Sequence, residues 1–140
     1  MPQTFRLHTI DDAHDTSTNY VAITGKQTLW QGAEPRQPDF LTDEPGNTLL
    51  IAEFVGHPIP WSKPEDLQFD SMDLTVDSSK GICSVFSPPA FVAADGNVTM
   101  LPRSLTAEDV RSLLTAQGGE PGCQLEQVTD GRSRQLRTQR

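Results

Sequence analysis

The stretch that most restricts the fold is residues 91–101, where two β-prone runs, FVAA and NVTML, are joined by Asp95 and Gly96. An Asp-Gly pair tolerates the positive φ that a tight hairpin turn requires. The pattern therefore predicts an antiparallel hairpin with a two-residue turn. Asp95 and Gly96 are also candidates for a ligand or anion contact, although turn formation already explains both residue types.

A helix is predicted directly after this hairpin. Thr106 suits the N-cap position, and Asp109, three residues on, completes a capping-box pattern. Leu105 and Val110 are spaced as a hydrophobic staple, and Gly118-Gly119 is expected to end the helix. The apolar residues predicted to share the face that packs on the sheet are Val110, Leu113 and Leu114.

Upstream, the predicted elements are short. Residues 20–23 and 82–86 read as strands, and the apolar run 49–55 reads as the central strand, bounded by Gly46 and Gly56. Residues 31–47 contain three prolines and two glycines and are predicted to form a surface loop, whereas 57–67 should be extended along the sheet edge with Trp61 as an apolar anchor.

The predicted fold class is therefore α+β: an antiparallel β-sheet with long loops, a terminal Asp-Gly hairpin and one C-terminal helix packed on the sheet. Residues 1–17 are expected to be an irregular entry segment and 18–120 one globular domain. Residues 121–140 are expected to be a basic, disordered tail.

Charge is unevenly distributed. The net charge is −8, yet residues 121–140 contain four arginines against two acids, and residues 1–120 contain 17 acids against 7 basic residues. An acidic body disfavours nucleic-acid partners. The tail arginines (Arg132, Arg134, Arg137 and Arg140) could contact an acidic partner or lipid headgroups, but a solvated end is the simpler interpretation.

The chain contains no apolar run of the roughly 18–20 residues that a membrane span needs, and no export signal, so as written it is expected to be either cytoplasmic or the detached globular part of a longer protein. Cys83 and Cys123 lack zinc-site spacing. They are interpreted either as a disulfide or as two thiols. A weak cation site at 11–15 is a minor alternative, and no metal or cofactor is expected.

Recognised nucleophile, phosphate-binding and dinucleotide motifs are absent from the sequence, so an enzyme is not predicted. Glu53 lies within the apolar run 49–55. It is interpreted as an outward-facing acid of a strand with one wet face, with a buried active-site acid as the alternative. A carboxylate hydrolase using Glu53 and Asp95 is the least favoured functional hypothesis.

Several segments, in order, resemble one family. They are TNYVAITG at 18–25 with Trp30, Thr42-Asp43 followed by NTLLIAE at 47–53, IPWSKPEDL at 59–67, ADGNV at 94–98, and LLT at 113–115 with GGE at 118–120. Together they resemble the C-terminal region of planctomycete-type pseudopilin-like proteins, a family of unknown function with a His, nine residues and then Asp-Gly. Val85 stands where that family has His. The resemblance implies a pseudopilin-like globular head in an extracytoplasmic or cell-surface setting, whereas this chain shows no N-terminal prepilin helix.

The resulting functional hypothesis is a non-enzymatic structural or interaction domain that contacts protein partners, through self-assembly or in a secretion- or pilus-like assembly. The loop 31–47 and the segment around Trp61 are the predicted contact surfaces, because loops on a rigid sheet often bind partners. The alternative is a small-solute or sugar-binding module in which Trp30, Trp61 and Tyr20 act as stacking platforms.

Overall fold

The computed structural model describes residues 16–118, 125 and 135–136, which fold as an α+β unit. Within these residues there are ten short strands and one α-helix. Two 3₁₀ helices, Pro38–Phe40 and Pro45–Asn47, interrupt the long loop. In chain order the elements are β1 Ser17–Thr18, β2 Tyr20–Val21, β3 Ile23–Thr24, β4 Leu49–Glu53, β5 Ile59–Pro60, β6 Leu67–Gln68, β7 Phe86–Ser87, β8 Ala90–Ala93, β9 Val98–Met100, α1 Ala107–Leu114 and β10 Gln135–Leu136.

The largest sheet has four antiparallel strands in the order β2-β4-β8-β9. Three two-stranded pairs surround it: β1 with β5 and β7 with β10 run antiparallel, and β3 with β6 runs parallel. The predicted fold class is confirmed, and the apolar run 49–55 supplies an interior strand of the main sheet, β4.

A bulge in β4 sets which side chains face the core. Leu49 pairs with Ala93 and Ile51 with Val92, so Leu50 is an extra residue between them. Such a residue shifts the alternation of faces along a strand. We call the buried side of the four-stranded sheet the inner face. It consists of Val21, Leu49, Ala52, Phe91, Ala93 and Thr99.

The helix covers the inner face, as its sequence predicts. It begins after Thr106, whose hydroxyl accepts from the amide of Asp109 at 3.2 Å, while the Asp109 carboxyl group accepts from the Thr106 amide at 2.8 Å. This is the predicted capping box. The buried helix residues Val110, Leu113 and Leu114 pack in one cluster with residues of the inner face, and Leu105 packs against that cluster.

The helix ends earlier than predicted, at Leu114 rather than near Gly118. The following chain makes tertiary hydrogen bonds instead. The Ala116 amide donates to the carbonyl of Gln27 at 2.9 Å, and the Ala116 carbonyl accepts from the amide of Thr42 at 2.9 Å. These contacts replace the helical bonds that would have continued to the glycine.

The hairpin is confirmed, but its turn is one residue longer than predicted. The Ala93 amide donates to the Asn97 carbonyl and the Gly96 amide donates to the Ala93 carbonyl, both at 2.9 Å. Ala94, Asp95 and Gly96 therefore form a three-residue loop. Gly96 has a φ of 87°, the left-handed position that closes a loop of this kind.

A second small cluster lies beside the main core and corrects the predicted role of Trp61. Its buried members are Val21, Phe54, Ile59 and Cys83. Ile59 is the anchor of the proline-rich segment, whereas Trp61 is exposed. The strand predicted over 82–86 is also displaced: Ile82 and Cys83 are buried, but the paired residues are Phe86–Ser87.

Both ends of the described chain pair with the body. Ser17–Thr18, at the border of the predicted entry segment, forms β1. Within the predicted tail, Leu125 packs against the main core and Gln135–Leu136 pairs with β7. The other residues of 121–140, including Cys123 and the four tail arginines, and residues 1–15 lie outside the described residues, so the disordered-tail and cation-site interpretations remain predictions.

Candidate functional site

Trp30 partly closes a gap in the main sheet. Its indole Nε1 donates to the carbonyl oxygen of Leu50 at 2.7 Å, and Leu50 lies beyond the stretch of β4 that β2 pairs with. The ring is still 39% exposed. Trp30 therefore combines a structural hydrogen bond with an accessible aromatic surface.

Trp30 and Trp61 contact opposite ends of residues 16–24. The Trp61 amide donates to the Thr16 carbonyl at 3.0 Å, whereas Trp30 bridges to Thr24. Eight residues of largely extended chain separate Thr16 from Thr24, a length of up to about 26 Å. The contacts of the two tryptophans lie at opposite ends of residues 16–24, and both indoles are well exposed, with Trp61 at 46%.

Tyr20 lies on β2 directly opposite Glu53 of β4 and is half-buried. Asp95 lies in the hairpin loop, where its carboxyl oxygens accept from the amide and the side chain of Asn97 at 2.9 and 2.7 Å. Gly96 closes the same loop. These contacts give Asp95 and Gly96 a turn-forming role, and they lie apart from Tyr20 along the strands.

Glu53 corrects the sequence interpretation. Its side chain is not solvated: Glu53 is 4% exposed, and its Oε2 accepts from the Ala90 amide at 2.8 Å. Ala90 and the Asp95 loop are separated by three residues of β8, roughly 10 Å, with a further offset across the strands. Glycosidase carboxyl pairs lie roughly 5 to 9.5 Å apart in one cleft. Glu53 is buried and Asp95 exposed, so this pair does not form such a cleft.

The predicted contact loop 31–47 is tied to the body. The guanidinium group of Arg36 lies 3.7 Å from the centre of the Phe40 ring and donates to the Gly25 carbonyl at 3.2 Å. The carboxyl group of Asp43 accepts from the Gly118 amide at 2.8 Å. The Arg36 contact holds the loop against Gly25, and the Asp43 contact holds it against the chain that leaves the helix, so part of the loop is structural.

A surface that the sequence analysis missed lies on the side of the main sheet opposite the helix. We call it the outer face. Its first row joins Ile51, Val92 and Val98 on three adjacent strands. Ile51 and Val92 are half-buried and Val98 is 51% exposed. The second row consists of Tyr20, Glu53, Ala90 and Met100.

The composition of the outer face is unusual for its position. An antiparallel sheet that is covered on one side commonly carries polar residues on the other, but here three aliphatic side chains line up across the strands. In the sequence, Ile51 falls in phase with the buried Leu49, so only knowledge of the bulge at Leu50 would have assigned it to the outer face. Val92 and Val98 could have been found by pairing them across the hairpin.

Other chemistry is limited in the part of the chain that the structure describes. Cys83 is buried, and its sulfur accepts from the Val55 amide at 3.4 Å. Residues 16–118, 125 and 135–136 contain no group of three side chains suited to hold a metal ion. No helix among them has both the length and the apolar character needed to cross a bilayer.

Two exposed carboxyl groups are held by local hydrogen bonds. The Thr106 hydroxyl and amide lower the pKa of Asp109. The Thr75 amide and the Ser78 hydroxyl donate to the carboxyl group of Asp73 and lower its pKa. The same hydrogen bonds hold the turn at residues 73–78. Both groups stabilise local structure.

Comparison with models of known protein families, with curated proteins and with solved structures found no match.

Proposed function

We propose that the chain is a non-enzymatic interaction domain whose outer face binds a protein partner. The observation that carries the proposal is the aliphatic row of Ile51, Val92 and Val98, which is accessible although it crosses three strands. Apolar rows of this kind on a sheet surface are typical of contact sites, because burying them in a complex removes apolar area from water.

The surroundings of the row fit a protein contact. Tyr20 and Met100 lie at the two edges of the sheet in the neighbouring row, and both residue types are enriched in protein interfaces. Glu53, between them, is already hydrogen-bonded within the domain. A partner could therefore cover the outer face without leaving this carboxyl group unpaired, which would otherwise be costly.

The resemblance to pseudopilin-like heads supports an assembly role within this proposal. An antiparallel sheet with one helix on its inner face is compatible with such a head. In that setting the domain would act in a cell-surface or secretion-associated assembly, with the outer face turned towards a neighbouring subunit.

A photo-crosslinking amino acid placed at Val92 tests the proposal in cells that produce the protein. The matched control carries the same amino acid at Glu108, which is exposed on the helix. We expect a protein adduct from position 92 and none from position 108, and we expect Ile51→Lys to remove it while the domain still unfolds cooperatively. Equal adducts from both positions, or an adduct that survives Ile51→Lys, would rule out the outer face as the contact.

The exposed indoles favour a second candidate, the small-solute or sugar-binding module. Trp30 and Trp61 contact opposite ends of residues 16–24, so in this hypothesis each indole acts as a separate stacking surface. Titration of a sugar panel against intrinsic fluorescence, repeated with Trp30→Phe and Trp61→Phe, tests this. A saturable response that one of these variants removes would support binding. A flat response across the panel would count against it.

A further inference from the structure

Among the residues that the structure describes, no strand pairs with the outer side of β9, the second strand of the hairpin. The bonds of Ala93 with Asn97 and of Leu101 with Pro89 bracket the β8–β9 pair. Hydrogen-bonded and non-hydrogen-bonded pairs alternate along an antiparallel ladder. Thr99 therefore exchanges bonds with β8, whereas Val98 and Met100 direct their amide and carbonyl groups away from it.

These outward groups have no hydrogen-bond partner within residues 16–118, 125 and 135–136, and β9 is the last strand of the sheet. A strand edge of this kind is a template for pairing with another chain. The edge is also neutral between Gly96 and Pro102, so it lacks the charged side chains that usually block edge pairing.

We propose that β9 pairs with β9 of a second copy of this chain, antiparallel about a two-fold axis through Thr99. In this register Val98 lies opposite Met100 of the second copy. Both residues direct their backbone groups outwards, so each of the two equivalent pairs exchanges two hydrogen bonds. The two four-stranded sheets then form one continuous eight-stranded sheet, a closed isologous arrangement.

Side chains and charges fit the antiparallel register. Residues opposite each other across a sheet share a face, so the exposed Val98 lies beside Met100 of the second copy on the outer face. Asp95 precedes the strand and Arg103, which also pairs with Asp77 of its own chain, follows it; both Asp95 and Arg103 are exposed. A two-fold antiparallel pair brings these opposite charges near each other at both ends, whereas a parallel pair would bring like charges together.

This pairing goes beyond the proposed function because it uses the backbone edge of β9 and names the partner. The two proposals fail independently. Ile51→Lys changes the outer face two strands away and leaves the β9 edge intact. Val98→Pro removes an edge amide and alters one member of the aliphatic row but leaves Ile51 and Val92 unchanged, and Val98→Ala measures the side-chain part of that change separately.

Amide exchange at two protein concentrations tests the pairing on the unaltered chain. We expect the Val98 and Met100 amides to exchange rapidly at micromolar concentration and to become protected at millimolar concentration. The Thr99 amide, bonded to β8, should be protected in both and serves as the internal reference. A chain that is monomeric across this range, or a dimer in which Val98 and Met100 remain unprotected, would overturn the proposal.

Val98→Pro and Val98→Ala form the matched pair of variants. Proline removes the outward N–H without removing a bond to β8, because edge strands accept proline at such positions. Alanine shortens the side chain and keeps the N–H. In sedimentation equilibrium we expect Val98→Pro to raise the dimer dissociation constant about tenfold or more and Val98→Ala to raise it much less. Equal effects would assign the contact to the side chain and overturn edge pairing. If Val98→Pro does not fold, the exchange measurement decides.

Discussion

The inner and outer faces of the four-stranded sheet come from the same strands, yet they meet different surroundings. Along β8 the two sides alternate: Phe91 and Ala93 face the helix and are 2% and 0% exposed, whereas Val92 between them faces outwards and is half-buried. Both faces are apolar at this point. Apolar composition therefore does not distinguish the two faces here, and only the position of the helix does.

Because only one face is covered by the helix, apolar side chains contribute to folding on the inner face and are available for association on the outer face. On the inner face, buried area contributes to folding, because the helix and sheet remove it from water together. On the outer face much of the same residue type remains accessible and is available for association. The comparison predicts that substitutions on the two faces divide between effects on stability and effects on binding.

The largest expected effect is on the inner face. Phe91→Ala should lower the free energy of unfolding by about 3–5 kcal/mol, because it leaves a cavity between the sheet and the helix. The neighbouring Val92→Ala, on the outer face, should cost under about 1 kcal/mol. Urea unfolding of the two variants checks the contrast. Similar losses would mean that the outer face is as fully packed as the inner one.

The next largest loss of stability is expected at Glu53, whose side chain lies on the outer face but is buried. Glu53→Leu leaves the Ala90 amide without its 2.8 Å acceptor and should cost about 1–3 kcal/mol. Glu53→Gln keeps an acceptor oxygen at the same position and should cost clearly less. Thermal unfolding of both variants measures the difference. Equal stability of the two variants would show that the bond to Ala90 contributes little.

The third prediction is a substitution that raises the free energy of unfolding instead of lowering it. The hydroxyl of Thr99 is buried on the inner face and has no hydrogen-bond partner among the residues that the structure describes. Thr99→Val replaces it with a methyl group of similar size and should raise the free energy of unfolding by about 1 kcal/mol. The control, Val98→Thr, makes the reverse change on the exposed neighbour and should be nearly neutral. A destabilised Thr99→Val protein would contradict the prediction.

The part of this architecture that could be predicted is the part encoded locally. The hairpin follows from Asp95-Gly96 and the helix start from Thr106 and Asp109, since each depends on neighbours within a few residues. The inner helix face follows from periodicity alone. All three are confirmed, with errors in the turn length and in the helix end; tertiary hydrogen bonds of Ala116 decide the helix end.

Only part of the candidate site could be predicted: Val92 and Val98 follow from pairing across the hairpin, but the rest depends on pairing between distant segments. The bulge at Leu50 changes the phase of β4, so Ile51 joins the outer face although simple alternation groups it with Leu49. Glu53 is buried at the end of that face and held by Ala90, 37 residues later. Trp61 was expected to be the anchor, but Ile59 takes that position. None of these outcomes has a local signature.

The smallest predicted effect concerns how firmly the helix covers the inner face. Hydrogen bonds from Thr106 lower the pKa of Asp109 below its unfolded value. The charged carboxyl group therefore contributes stability that is fully present above the unfolded pKa, about 4, and is lost as pH falls through the folded pKa.

Asp109→Asn keeps an acceptor but removes the charge, so the stability gap between the unaltered chain and this variant should exist near neutral pH and close in acid. Urea unfolding at a series of pH values measures it. Because this group is on the surface, the gap should be smaller than the cost of Glu53→Leu. A gap that stays constant down to acid pH would mean that the variant acts through geometry and that the charge contributes nothing.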